Sequence, residues 1–242
     1  MYALKKISMI GLALFLCLAV ISPAGNNLSA HEGDMRPVKA SQYIATLYKQ
    51  INFNEAEQLD YYVFVNAMTG YMNLKAEHKL SPEKDIITIC DYSLSANSKR
   101  MWVIDLSAKK VLLNTHVAHG QGTGEEYAKR FSNNEGSHQS SIGFYVTGTT
   151  YTGKHGNSMY LHGMDEGYNS AAYKRAIVVH GAGYVSNDFI AGTGRLGRSW
   201  GCPAVSTDVS ERLIDLTKDG TCLFIYYPEQ KYLATSAWLK DV

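Results

Sequence analysis

The chain has 242 residues, with 23 Lys and Arg against 22 Asp and Glu and a formal net charge of +1. So even a balance gives no electrostatic reason for attachment to nucleic acid or to an anionic membrane surface. The length fits one substantial domain with a small appendage, and the composition is ordinary except that tyrosine, at 17, is plentiful.

Lys5 and Lys6 precede an almost wholly apolar run over 7–21, followed by Ser22-Pro23-Ala24. That order of charge, hydrophobic core and small residues predicts a secretory signal peptide over 1–24, with Ala30 as a second candidate end. The run has 15 residues, short of the roughly 20 needed to span a bilayer. The expectation is therefore an exported protein with no stable membrane insertion after cleavage; an uncleaved anchor is the alternative. Cys17 lies behind Leu14, Phe15 and Leu16, which are bulky where a lipid-attachment site wants small residues. Cleavage removes two lysines and no acids, so +1 becomes −1.

Residues 41–80 read as a helical N-terminal region. Leu59, Tyr62, Val63, Ala67, Met68, Tyr71 and Leu74 recur at roughly helical spacing; Gly70 interrupts the pattern, and Ser81-Pro82 ends it. From Ile86 the texture changes to short strand-like runs at 86–91, 101–106, 111–118, 142–147, 158–162, 176–180 and 222–227. Lys109-Lys110 suggests a hairpin turn, and 120–141, rich in Gly, Ser and Asn, reads as a functional or mobile loop. One helix interrupts the strands: Ser206-Thr207-Asp208 offers N-cap chemistry, Leu213, Ile214 and Leu216 give an apolar face, and Gly220 stops it. The tail, 228–242, carries a short helix through Leu233, Trp238 and Leu239. The expected class is mainly β, a β-rich α+β domain over 86–227 behind a small helical region.

Three cysteines lie beyond the signal. Cys90 and Cys222 sit in apolar runs, and the sequence leaves open whether they pair or stay as buried thiols. An odd count leaves at least one thiol unpaired unless chains cross-link. Cys202 has different surroundings: Gly192, Gly194 and Gly197 precede it, and Gly201 adjoins it. A thiol on such a loop is open to close approach, and the N–H groups of Gly201 and Cys202 are candidates to face an oxyanion. Arg195 and Arg198 supply positive charge that would favour a thiolate. The bland reading, a small apolar residue in a tight turn, is weighed against a second element. Ala176-Ile177-Val178-Val179-His180 is a buried-strand pattern that ends in histidine and runs into Gly181. A histidine so placed can act on a thiol of a neighbouring loop.

Together, His180-Gly181 and Gly197-Arg198-Ser199-Trp200-Gly201-Cys202-Pro203-Ala204 resemble the catalytic domain of L,D-transpeptidases, the YkuD-like family, in its divergent murein L,D-transpeptidase branch. The segments 101–106, 111–117 and Ser140-Ser141-Ile142-Gly143-Phe144-Tyr145 are similar to that family's opening strands and Ile-Gly-Phe stretch. The resemblance implies a YkuD-like fold and cysteine acyl transfer on peptidoglycan stem peptides, with Cys202 as nucleophile and His180 as base. A backbone carbonyl at Gly181 would orient the base, Ser199 the loop; terminal D-alanine leaves, and an amine or water resolves the thioester. No metal or organic cofactor is implied. Trp200 stands where the commoner pattern has histidine, and Pro203-Ala204 where it has Arg or Asn, which bears on how the substrate carboxylate is held. Arg195 and Arg198 are candidate substitutes, and with Trp200 and His162 they are expected to line the substrate cleft.

His162, in Tyr160-Leu161-His162-Gly163, is the rival base, with a weaker strand before it. A zinc hydrolase is disfavoured. His116 and His119 are three apart in a strand-like run and should face opposite ways, and no His-x-His or His-Glu-x-x-His occurs. The serious alternative is a non-catalytic cell-wall-binding module, or a silent family relative, for which the tyrosines offer sugar-stacking surfaces.

Overall fold

The structure is a computed structural model describing residues 36–240; the predicted signal segment and Cys17 lie outside the described residues. Helix α1 (Arg36–Gln50) leads to α2 (Tyr61–Ala76), and the eight strands that follow are β1 (Ile86–Asp91), β2 (Met101–Asp105), β3 (Lys110–Thr115), β4 (Gly143–Gly153), β5 (Gly156–Gly163), β6 (Val178–Gly181), β7 (Ala204–Val205) and β8 (Cys222–Tyr226). Helices α3 (Asn187–Thr193), α4 (Thr207–Thr217) and α5 (Gln230–Thr235) complete the chain with a 3-10 turn at Ala237–Leu239. All eight strands form one sheet, in the order β3-β2-β1-β8-β4-β5-β6-β7. The fold is thus a β-rich α+β domain with a small helical N-terminal region.

The helical region expected over 41–80 is two helices, α1 and α2. Asp60 breaks it: its carboxylate accepts the N–H groups of Tyr62 and Val63 at 2.8 and 3.1 Å, an N-cap that starts α2 afresh. The intervening segment pairs with the sheet instead, where Asn52 bonds the backbone of Lys109 and Val111 and Glu57 O accepts Trp102 Nε1. Gly70 is no helix breaker. It lets α2 lie close on the sheet: a Cβ there would stand 2.0 Å from Cζ of Phe144, a buried ring stacked on Phe224 at 4.2 Å.

The centre of the sheet explains the apolar runs. β1 and β8 pair in parallel and are almost wholly buried, as strands covered on both faces must be. Their register sets Cys222 against Ile87 and Cys90 against Ile225. The two thiols are therefore about 10 Å apart along the strands, beyond disulfide reach, and both are free and buried.

The sheet's ends are drawn together. β3 stops at Thr115, earlier than its apolar run suggested, and the chain then crosses to the far end, where Ala118 N donates to Ala204 O of β7 at 2.8 Å. The 120–141 loop is tied down throughout. Gly122 N bonds His138 O, Ser132 N bonds Ser140 O, and Arg175 grips Ser132 O and Gln139 O at 2.8 and 2.6 Å. Helix α3 escaped the sequence reading because it buries no residue and so has no apolar stripe, although Ser186 caps it and Gly194 ends it in the left-handed region.

Gly70→Ala tests the close approach. Better helix propensity offers about 1 kcal/mol, whereas forcing an overlap into a stacked core typically costs about 1–3 kcal/mol, and a 2.0 Å contact on a buried ring belongs at the upper end. Thermal unfolding should show a lower Tm than wild type, and Phe144→Leu in the same chain should recover part of the loss. A higher Tm in Gly70→Ala alone contradicts the packing argument.

Candidate active site

Strand β6 is sandwiched between β5 and β7: His180 pairs with Ser158 on one side and, in parallel, with Ala204 on the other. The same offset sets Cys202, two residues before β7, level with Val178. Accordingly, Val178 N–H points at Cys202 Sγ at 3.5 Å, and Sγ lies 3.7 Å from Ala176 O. His180 and Cys202 line one cavity of about 380 Å³, together with Lys154, His155, Arg175, Tyr184, Arg198 and Trp200 among others. Cys202 is half-buried, and His180 is 3% exposed.

His180 Nδ1 lies 2.9 Å from Gly181 O. A carbonyl can only accept, so Nδ1 carries the proton and the neutral ring keeps its lone pair on Nε2. Nε2 has no hydrogen-bond partner among the described residues. Burial is the main cause that pulls the His180 pKa below the ordinary imidazole value, with charge on His155 and Lys154 acting the same way. Burial also pushes the Cys202 thiol up, against the smaller pull of the Val178 N–H, Arg175 and Lys154. Both shifts favour the uncharged forms, a thiol and a neutral imidazole, in one cavity.

Ser199 braces the loop. Its Oγ donates to Cys202 O at 2.6 Å and accepts Gly201 N–H at 3.0 Å, while its backbone joins His119 O and Gln121 N. Gly201 needs to be glycine, since φ is +125° and a Cβ would stand 2.8 Å from Gln139 O. The two expected oxyanion donors are placed differently by the loop's hydrogen bonds. Gly201 N–H is taken by Ser199, which leaves Cys202 N–H as the one of the two without a partner among the described residues. Gly181 also lies close to α4, where a Cβ would stand 2.7 Å from Ser210 Oγ.

The cationic residues differ from the expectation. Arg195 and Arg198 both bind Glu125, at 3.1 and 2.7 Å, and Arg198 also donates to Gly124 O. Arg198 lines the cavity and Arg195 does not. The cations that act on the thiol are Arg175 and Lys154, neither of them among the residues expected from the sequence. His162 stands apart, an exposed residue of β5 with its ring stacked on Tyr173 at 5.1 Å, outside the cavity lining. Trp200 lines the cavity at 67% exposure, its ring stacked on His138 at 4.7 Å. Of the missed residues, Lys154 and His155 had a legible signal: Gly153-Lys154-His155-Gly156 is a two-residue hairpin turn between glycines. No group of three or more potential metal ligands occurs among the described residues.

The family model described as L,D-transpeptidase catalytic domain matches residues 55–226. No curated protein matches the chain. Solved structures similar to it include an L,D-transpeptidase from Mycobacterium smegmatis, at 12% identity and TM-score 0.36, covering 59% of each chain. Another is an L,D-transpeptidase from Stackebrandtia nassauensis, at 11% identity and TM-score 0.34, covering 78% of each. L,D-transpeptidase 3 from Mycobacterium tuberculosis, in complex with a faropenem-derived adduct, has 12% identity and TM-score 0.37, with 59% of this chain and 60% of that one covered. The chain thus spans about three fifths of the length of the mycobacterial structures.

Two measurements follow from the geometry. Removing the Ser199 hydroxyl strands a buried N–H and a carbonyl, so Ser199→Ala should lose about 1–3 kcal/mol in urea unfolding, with Ser199→Thr losing less; equal stability for all three proteins would contradict the brace. Alkylation of Cys202 by iodoacetamide should keep accelerating past pH ~8.5, where an unperturbed thiol is half ionised. A plateau already reached near pH 6 would mean a resting thiolate–imidazolium pair instead.

Proposed function

The chain belongs to the L,D-transpeptidase catalytic-domain family, and from that premise we propose that it is an exported peptidoglycan L,D-transpeptidase that uses Cys202 as nucleophile and His180 as base. The observation that carries this reading is the His180 Nδ1 contact with Gly181 O, which leaves Nε2 as the basic nitrogen in the cavity that Cys202 lines. Nε2 takes the thiol proton as Sγ attacks the carbonyl of a diamino acid joined to a terminal D-alanine. Cys202 N–H, the free donor of its loop, stabilises the oxyanion of the tetrahedral intermediate. The imidazolium returns its proton to the departing D-alanine amine, leaving a thioester on Cys202. An amine of a neighbouring stem then gives a cross-link, and water gives an L,D-carboxypeptidase product.

The substrate class follows from charge. No Asp or Glu lines the cavity, while Lys154 and Arg175 do, and Lys154 has no ionic partner among the described residues. A donor peptide rich in carboxylates suits such a cleft, and its volume suits a short peptide segment. Lys154 takes the part of the arginine that the family's commoner pattern carries after its cysteine. No helix among the described residues is long and apolar enough to cross a membrane. The peptidoglycan partner and the exported location rest on the family and on the predicted signal segment.

Intact mass after incubation with a carbapenem, with Cys202→Ala alongside, is the direct test. The native protein should gain one adduct and the variant none, and release of D-alanine from a tetrapeptide stem should fall at least a hundredfold in Cys202→Ala and in His180→Gln. Folded native protein that neither acquires an adduct nor turns over the stem would favour a silent, wall-binding relative.

A further inference from the structure

The β4–β5 hairpin ends in a two-residue turn, with Gly153 paired to Gly156 and Lys154-His155 at its tip. Such a tight turn, with Gly156 at a positive φ of 74°, fixes the tip's direction, and stacking of Tyr151 on Tyr160 at 4.7 Å stiffens the stem below it. The tip reaches the catalytic cavity. Its histidine lies flat on the base: the ring centroids of His155 and His180 are 4.4 Å apart and their planes differ by 26°.

We propose that His155 is a positioning residue for His180, covering one face of the imidazole so that the ring stays in plane, and neutral, with Nε2 available to Cys202. The proposal rests on the reading of His180 as the base. Two physical effects support it. The stacked ring excludes water from one face of His180, and loss of hydration disfavours the imidazolium. Positive charge on the hairpin tip acts in the same direction, as the depressed His180 pKa already reflects. The groups facing the base from the other elements do not reverse this. Arg175 adds positive charge from the segment before β6, Arg198 on the catalytic loop is held by Glu125, Cys202 and Tyr184 are uncharged, and no carboxylate lines the cavity. β5 and β7 present Ser158 and Ala204 opposite His180. The Nδ1 bond to Gly181 O sets the tautomer but leaves the ring face uncovered; His155 supplies that second constraint.

Because His155 is exposed at a turn, its substitution should not unfold the protein, and circular dichroism checks that. The test is the titration of the His180 ring by NMR in the full chain carrying labelled histidine, assigned with His180→Gln, compared among wild type, His155→Ala and His155→Phe. Iodoacetamide rates at Cys202 are measured in parallel across pH. In His155→Ala the His180 pKa should rise by about one unit, and the acid limb of the alkylation profile should move up with it. His155→Phe keeps the cover but not the charge and should give a smaller rise. A wild-type His180 titration in His155→Ala overturns the proposal and leaves the base assignment standing. A wild-type alkylation rate in His180→Gln overturns the base assignment, and the proposal with it, whatever the titration shows.

Discussion

Two residue pairs of parallel sheet, His180 with Ala204 and Gly181 with Val205, hold the candidate site together. β7 is only those two residues long, too short to be stable on its own pairing, and it is held from the other side as well. Ala118 reaches it from the far end of the sheet, and His119 and Gln121 bond Ser199 just upstream. With both edges occupied, the position of Cys202 relative to β6 follows from strand register rather than from loop packing. That is why a residue on a glycine-rich turn can place its thiol in the cavity that His180 lines.

The support for that arrangement runs into the core through Arg100. This side chain is fully buried and makes no ion pair among the described residues, yet it is satisfied: it donates to Leu94 O, Val117 O and His119 Nδ1, and its guanidinium lies over the Tyr92 ring at 4.6 Å. A buried charge is tolerated when its donors are hydrogen-bonded; here each guanidinium nitrogen has a partner, and three of the four bonds fasten the 117–119 segment that borders the Cys202 loop. His119 then passes the connection on through its carbonyl to Ser199 N–H. Burial and the adjacent Arg100 charge depress the His119 pKa to about 4, so its ring stays a neutral acceptor near neutrality.

Desolvation also sets the chemistry. It raises the thiol and lowers the imidazole, and both shifts favour the uncharged forms. The cations that pull on the thiol, Arg175 and Lys154, come from outside the Cys202 loop, whereas the two arginines of that loop pair with Glu125. Proximity in sequence was a poor guide to which charges act on the sulfur.

Local chemistry by itself singled out His180 and Cys202 as candidates, and the structure sets both in the lining of one cavity. A strand pattern ending in His180 and a glycine-framed Cys202 behind Ser199 are short-range signals, and so are the capped α4 helix and the apolar β1 and β8 runs. Tertiary structure alone decided what depends on contacts between distant segments. It split the N-terminal helices at Asp60, turned Gly70 from an interruption into a seat for Phe144, and kept Cys90 and Cys222 apart by strand register. It also gave Gly201 N–H to Ser199, moved His162 and Arg195 out of the cleft, and brought Arg175, Lys154 and His155 into it. Propensity and pattern report what a segment can do alone; which side chains share a cavity depends on strand order and register, and these bring together residues that no local pattern relates.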